Sequence, residues 1–219
     1  YDEIDVIMGS HISAVRLALR KVTAGRIPNV YTPVYEGGER TPGVMAIGET
    51  PRAESRPAIH WLTEVKKARR WYLIGSDYVW PWQSHRAVKR YIKEAGGQVV
   101  GEEFVPVGED DHAAQLERIR AAKPDVVLIS LIGTDSVTFN RAFAEAGVSV
   151  PGDVSVAGFD DVPMAAYAGP GLTTVRQDFA DLGRCALEVV SRALDGELVD
   201  TYVRPTRLVV RGSTGVCPR

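Results

Sequence analysis

Short apolar runs alternate along this chain with longer stretches in which apolar side chains recur every third or fourth position. Runs of the first kind suit buried strands, and the second spacing suits helices that bury one face. Ile4–Met8 is the first run and ends at Gly9-Ser10. The spacing of Ile12, Val15, Leu19 and Val22 predicts a helix over His11–Ala24, stopped by Gly25. Pro28–Tyr31 and Val44–Ile47 read as strands, joined by a loop at Thr32–Thr41 rich in Tyr, Glu, Gly and Pro. Pro51–Lys67 reads as a helix, with Pro51 suited to its first turn. Trp71–Ile74 is a strand, Trp82–Ala95 a helix that buries Ala87, Val88, Tyr91 and Ile92, and Val99–Val107 a strand. Asp111–Ala122 is a helix packed by Leu116 and Ile119. The strongly apolar Asp125–Ile132 is a central strand, followed by a helix at Ser136–Ala146. Val154–Ala157, a short helix near Pro163–Ala168, a strand at Leu172–Val175, a helix at Phe179–Leu194 and a strand at Tyr202–Val210 complete the series. Gly212–Arg219 reads as a frayed tail.

Strand and helix therefore alternate throughout, with short connections. That order predicts an α/β fold of parallel sheets covered by helices on both faces. In such folds ligands bind beyond the carboxyl ends of the strands. The residues just past those ends are Ser10, His11 and Ser13, then Tyr31, Tyr35 and Glu36, then Asp77, Tyr78, Trp80 and Trp82. Gly133, Thr134 and Asp135 follow the central strand, and Asp160 and Asp161 end the run Val154-Ser155-Val156-Ala157-Gly158-Phe159. Aromatic walls with a few polar groups make small-molecule pockets. Each residue also has a plainer role. Ser10, Ser13, Thr134 and Asp135 can cap helices, Asp160-Asp161 can start a turn, the aromatics can pack around Pro81, and Glu36 can be a solvated loop charge.

Composition narrows the function. Lys plus Arg number 26 against 28 acidic residues, a net charge of −2 over 219 residues, so this chain carries no electrostatic footprint for nucleic acid. Cys185 and Cys217 form no disulfide framework and no metal-ligand spacing. No apolar run is long enough for a membrane span, and no signal peptide opens the chain. Ser10 or Ser13, His11 and Asp160 can be drawn as a triad, but no Gly-x-Ser-x-Gly elbow is present. No Gly-x-Gly-x-x-Gly or phosphate loop follows a strand. The expectation is a binder with no catalytic residues, no metal and no cofactor.

Two resemblances sharpen it. Pro151-Gly152-Asp153-Val154-Ser155-Val156-Ala157-Gly158-Phe159-Asp160-Asp161, Leu172-Thr173-Thr174-Val175-Arg176-Gln177, Leu182-Gly183-Arg184 and the ending Pro205–Gly215 resemble the closing third of the LacI/GalR regulators. Gly9-Ser10-His11-Ile12-Ser13-Ala14, Tyr35-Glu36-Gly37 and Ile74-Gly75-Ser76-Asp77-Tyr78-Val79-Trp80-Pro81 are similar to amide- and urea-binding receptors of the type I periplasmic-binding-protein superfamily. Both imply two doubly wound lobes joined by three hinge crossings, with ligand between them. The lobes map to 1–49 plus 170–197 and 50–169 plus 198–219, with Gly-containing crossings near Gly48–Pro51, Gly169–Gly171 and Gly196–Tyr202. The families' two opening strand–helix units are absent here, so the chain reads as part of a longer protein. By resemblance, His11, Ser13, Tyr31, Tyr35, Tyr78, Trp80, Gly133, Thr134 and Asp160 line the pocket. Sugar-sensing regulators carry Asn-Asp after the central strand where this chain has Ile132-Gly133, and His11 stands where the amide receptors have Tyr. The implied function is the effector-sensing domain of a cytoplasmic regulator. It would be a homodimer that takes a small amide, amino acid or sugar-like solute and acts on DNA only through a head outside this chain. The alternative is a transport receptor for the same kind of solute.

Overall fold

The computed structural model describes residues 4–147, 149–167, 169–197 and 204–216, with the side chains of Phe159, Asp160 and Met164 outside that set. Three short parallel strands, β1 (Ile7–Gly9), β2 (Asn29–Tyr31) and β3 (Val44–Ala46), pair in that order as a small sheet. The larger sheet runs β5-β4-β6-β7-β8-β9. Its strands are β4 (Arg70–Ser76), β5 (Gln98–Val105), β6 (Val126–Ser130), β7 (Ser155–Asp160), β8 (Thr173–Arg176) and β9 (Arg207–Val209). All pair in parallel except β9, which returns antiparallel beside β8. The helices are α1 (Ser13–Thr23), α2 (Ser55–Glu64), α3 (Val79–Glu94), α4 (Ala113–Ala122), α5 (Gly133–Glu145) and α6 (Phe179–Leu194), with a 3-10 turn at Pro163–Ala166.

The period of two in β4 explains how the larger body is layered. Trp71 and Leu73 point to one face and pack with Ile59 and Leu62 of α2 and Val88, Tyr91 and Ile92 of α3. Tyr72 and Ile74 point to the other and pack with Leu116 and Ile119 of α4 and Phe139 and Phe143 of α5. Residues 71–76 are buried on both faces, which is why the run carries so few polar side chains. The central position expected for Asp125–Ile132 holds, since β6 lies between β4 and β7. α3 starts three residues earlier than the apolar spacing predicts. Pro81 fits its first turn because an N–H there would have no helical partner.

The small body has a thinner core. Val30 and Ile47 pack against Leu182, Cys185, Ala186 and Val189 of α6. Asp178 caps α6, its carboxylate accepting from the Asp181 N–H at 2.9 Å. α1 turns its apolar side outward. Its inward residues are Ser13, Arg16 and Thr23, while Ile12, Val15 and Val22 are exposed. The cause is ionic. Arg16 is 2 % exposed and pairs with Glu36 and Glu39, and its guanidinium lies 5.2 Å from the ring centres of both Tyr31 and Tyr35. Glu36 is thus a nearly buried partner rather than a solvated loop charge. Among the described residues nothing pairs with the outer edge of β1.

The chain passes from the small body to the larger one between Ile47 and α2. The return expected at Gly169–Gly171 falls later. β8 is hydrogen-bonded between β7 and β9, so residues 173–176 belong to the larger sheet and the chain leaves it only after Arg176. The third crossing, expected near Gly196–Tyr202, falls largely on 198–203, which lie outside the described residues.

Candidate functional site

Parallel strands aim their carboxyl ends one way, and here both sheets bring theirs to a single gap. The gap is a cleft of about 670 Å³. On the small-sheet side the turn after β1 contributes Ser10, His11 and Ser13, and β2 ends in Tyr31. Across from them the segment after β4 contributes Tyr78 and Trp80, and the passage from β6 into α5 contributes Ser130 through Gly133.

The small-sheet wall is ordered from behind. Ser13 donates to Glu36 Oε2 at 2.7 Å and lies 3.4 Å from the Tyr31 hydroxyl. The ring of His11 tilts against that of Tyr31 at 5.1 Å. α1 is capped by no side chain, so Ser13 is left to face the cleft and Glu36. Burial pushes the Tyr31 and Tyr78 hydroxyls up from the usual phenol range, and Glu36 pushes in the same direction. Both stay protonated and can donate or accept. Tyr78 and Trp80 stand 6.3 Å apart, a pair of flat surfaces on the far wall. Such a site can hold a small solute by stacking and neutral hydrogen bonds. No group of His, Cys, Asp and Glu suited to a metal ion exists among the described residues.

Ser10, His11, Ser13, Tyr31, Tyr78, Trp80 and Gly133 therefore share one cavity. Other expected site residues sit elsewhere. Tyr35 is buried behind Tyr31, edge-on at 6.2 Å, because Arg16 draws both rings inward. Asp77 turns away to accept from Trp82 Nε1 at 2.9 Å. Thr134 is exposed in the first turn of α5, outside the cleft lining. Asp135 is buried and accepts the Gly108 N–H at 3.0 Å, which anchors the loop after β5. Asp160 ends β7 with its backbone opposite Arg176, and its side chain lies outside the described residues. Its neighbour Asp161 meets Arg211 at 2.7 Å and pairs with Arg176. Burial opposes its charge, but the hydrogen bonds from the two arginines outweigh that and hold its carboxyl below the usual range.

Sequence reasoning missed Ser130, Ser136 and Asn140, which also line the cleft. The last two are four apart on α5, and that spacing past a strand end could have marked them. A smaller cavity, about 350 Å³, opens at the opposite end of the larger sheet, beside Asp125 and Asp153. Its carboxylates are already engaged. Asp125 accepts from the Arg69 and Arg70 N–H groups and Asp153 from that of Ser149, so the cleft is the better site.

Comparison with known proteins bears on the fold and the family. Residues 1–200 match the family described as periplasmic binding protein. The transcriptional regulator MalR of Streptomyces coelicolor is 41% identical over 80 residues, covering 36% of this chain and 23% of MalR, so the chain spans about a quarter of the length of that relative. The lactose operon repressor of Rhizobium radiobacter is 33% identical over 92 residues, covering 42% of this chain and 80% of that sequence. A dimeric lac repressor structure superposes with a TM-score of 0.77 at 18% identity, over 98% of this chain and 79% of the other. The chain belongs to the periplasmic-binding-protein family and is a relative of the LacI-family transcriptional regulators.

Proposed function

We propose that this chain is the effector-sensing part of a LacI-type transcription regulator. A small polar solute, an amide, amino acid or sugar-like molecule, seats between the sheets against Ser13 and Tyr31 on one wall and Trp80 and Gly133 on the other. The observation that carries this reading is the convergence of strand ends from two separate sheets on one cleft of about 670 Å³. A solute that touches both walls stabilises the arrangement in which they are close, and can shift the equilibrium only by its difference in affinity between arrangements. Regulators of this kind work with coupling on the order of 1–3 kcal/mol. In this proposal the protein is a cytoplasmic homodimer, and a DNA-binding head elsewhere in the full protein reads the shift. Among the described residues no helix is long and apolar enough to cross a membrane.

The test is titration with panels of small amides, amino acids and sugars, followed by tryptophan emission. Trp80 is the indole that lines the cleft, so a true effector changes the emission, and the change disappears in Trp80→Phe. An effector that binds with the same signal in Trp80→Phe and in Tyr31→Ala would place its site elsewhere. Gel shifts with the full-length gene product separate regulator from transport receptor, since only the former loses or gains an operator complex when solute is added.

A further inference from the structure

Behind the far wall of the cleft lies a chain of polar side chains that reaches the cavity at one residue. Ser130 is the last residue of β6 and lines the cleft. Its Oγ is 3.3 Å from Nε2 of His85, a residue of α3 that is wholly buried. The other ring nitrogen, Nδ1, faces Oε1 of Glu102 on β5 at 3.3 Å, an ionic contact rather than an aligned hydrogen bond, and neither atom has a hydrogen-bond partner among the described residues. The second oxygen of Glu102 accepts from Lys89 Nζ at 2.6 Å. Phe104 covers the imidazole face at 5.1 Å. Gly75 makes room on another side, where a Cβ would stand 3.3 Å from the ring.

The order of the three residues decides who holds which proton. A carboxylate can only accept, and an imidazole with one proton keeps it on the nitrogen that faces the acceptor. Burial lowers His85 to about 4 against the opposing pull of Glu102, so the ring carries one proton near neutrality. That proton sits on Nδ1 and leaves Nε2 bare. Ser130 can bond a bare nitrogen only by donating its own hydrogen. Its oxygen then presents lone pairs, and no hydrogen, to the cleft. Ser130 also has ordinary strand geometry rather than the left-handed backbone of a nucleophile elbow, so the relay serves recognition and not attack on a substrate.

We propose that Ser130 is a specificity-determining acceptor, polarised by His85 and Glu102, and that the solute held in the cleft presents an N–H or O–H to it. This rests on the cleft being the solute site, as proposed above, and narrows the solute class. Primary and secondary amides, amines and hydroxyl compounds satisfy Ser130, whereas a tertiary amide or an ether would set lone pair against lone pair. His85 and Glu102 act as positioning residues, since neither reaches the solute.

Two measurements test it. The first needs no solute. Long-range proton–nitrogen spectra of histidine-labelled protein at pH 7 report which ring nitrogen is protonated, and His85→Asn identifies the signal by removing it. The expected result is a proton on Nδ1, moving toward Nε2 in Glu102→Gln, whose amide can donate to Nδ1. A ring protonated on Nε2 in the unchanged protein overturns the proposal. The second measurement is titration with acetamide and N,N-dimethylacetamide, which share a carbonyl and differ in their N–H groups. Acetamide binds more tightly, and Ser130→Ala weakens it roughly tenfold, the loss of about one hydrogen bond, while leaving the dimethyl compound unchanged. Equal affinity for the two amides overturns the proposal. Failure of both to bind would count against the cleft as an amide site, and the tautomer spectrum would still decide the polarity of Ser130.

Discussion

Replacing Arg16 is the sharpest test of how the small body holds its half of the cleft. Arg16→Met keeps length and helix propensity but removes the charge. The side chain is 2 % exposed, and its partners Glu36 and Glu39 are 10% and 2% exposed, so both carboxylates would be left nearly dry. Arg20 remains 3.6 Å from Glu39, which also keeps the Arg40 and Thr41 N–H groups, and Glu36 keeps the Ser13 hydroxyl. Removing one partner of a buried ion pair costs roughly 3–5 kcal/mol. Losing the cation contacts to Tyr31 and Tyr35 adds about 0.5–1 kcal/mol each. Arg20 can recover part of this by swinging inward, so a net loss of about 3–5 kcal/mol is expected. Urea unfolding followed by circular dichroism reads it directly as a lower midpoint with unchanged slope. A triple variant is a second handle: Arg16→Met with Glu36→Gln and Glu39→Gln removes the buried charges that the single change leaves without Arg16, and recovers stability. A single variant within 1 kcal/mol of the parent at pH 7 would refute the claim that this ionic group sets the orientation of α1.

Three further outcomes are expected. His85 has its folded-state value lowered to about 4 from 6.5, so it adds stability in full above pH 6.5 and loses it as pH falls toward 4, up to roughly 3 kcal/mol; His85→Asn should flatten that stretch of the curve, and an unaltered slope would exclude His85 as its source. Gly75→Ala places a Cβ 2.8 Å from Pro81 Cβ and 3.3 Å from the His85 ring, and overpacking of this kind costs about 1–3 kcal/mol, measurable as a lower urea midpoint. Asp161 has φ 50, which Asn tolerates, so Asp161→Asn isolates the charge; because the native carboxyl is held low, its contribution is present at neutral pH and lost as pH falls through that lowered value, and the variant should be weaker at pH 7 yet converge on the parent in acid.

Much of the architecture was readable because period and punctuation are local signals. Trp71–Ile74, Asp125–Ile132 and Phe179–Leu194 announce themselves by apolar density or spacing, and the structure has elements there. Local signals do not say what lies opposite. The apolar side of α1 was legible, but its outward turn depends on Glu36 and Glu39, some twenty residues away. β8 reads as a strand from its own residues, whereas its membership of the larger sheet depends on pairing with β7 and β9. Strand ends located the cleft, yet they could not tell Ser13, which faces it, from Asp135, which turns inward to Gly108. Ser130, His85 and Glu102 come from three elements and meet only through the folding of β5 and α3 against β6.

The antiparallel strand beside β8 has a practical consequence. Arg207–Val209 covers the flank of β8, and a few residues on, the Ser213 hydroxyl donates to the Val156 carbonyl at 2.6 Å and accepts the Thr173 N–H at 2.8 Å. One short stretch therefore fastens two neighbouring strands of the larger sheet. Cutting the chain ahead of Arg207 would strip β8 of its cover and leave both backbone groups without those partners, so shortened versions should keep residues through Gly215.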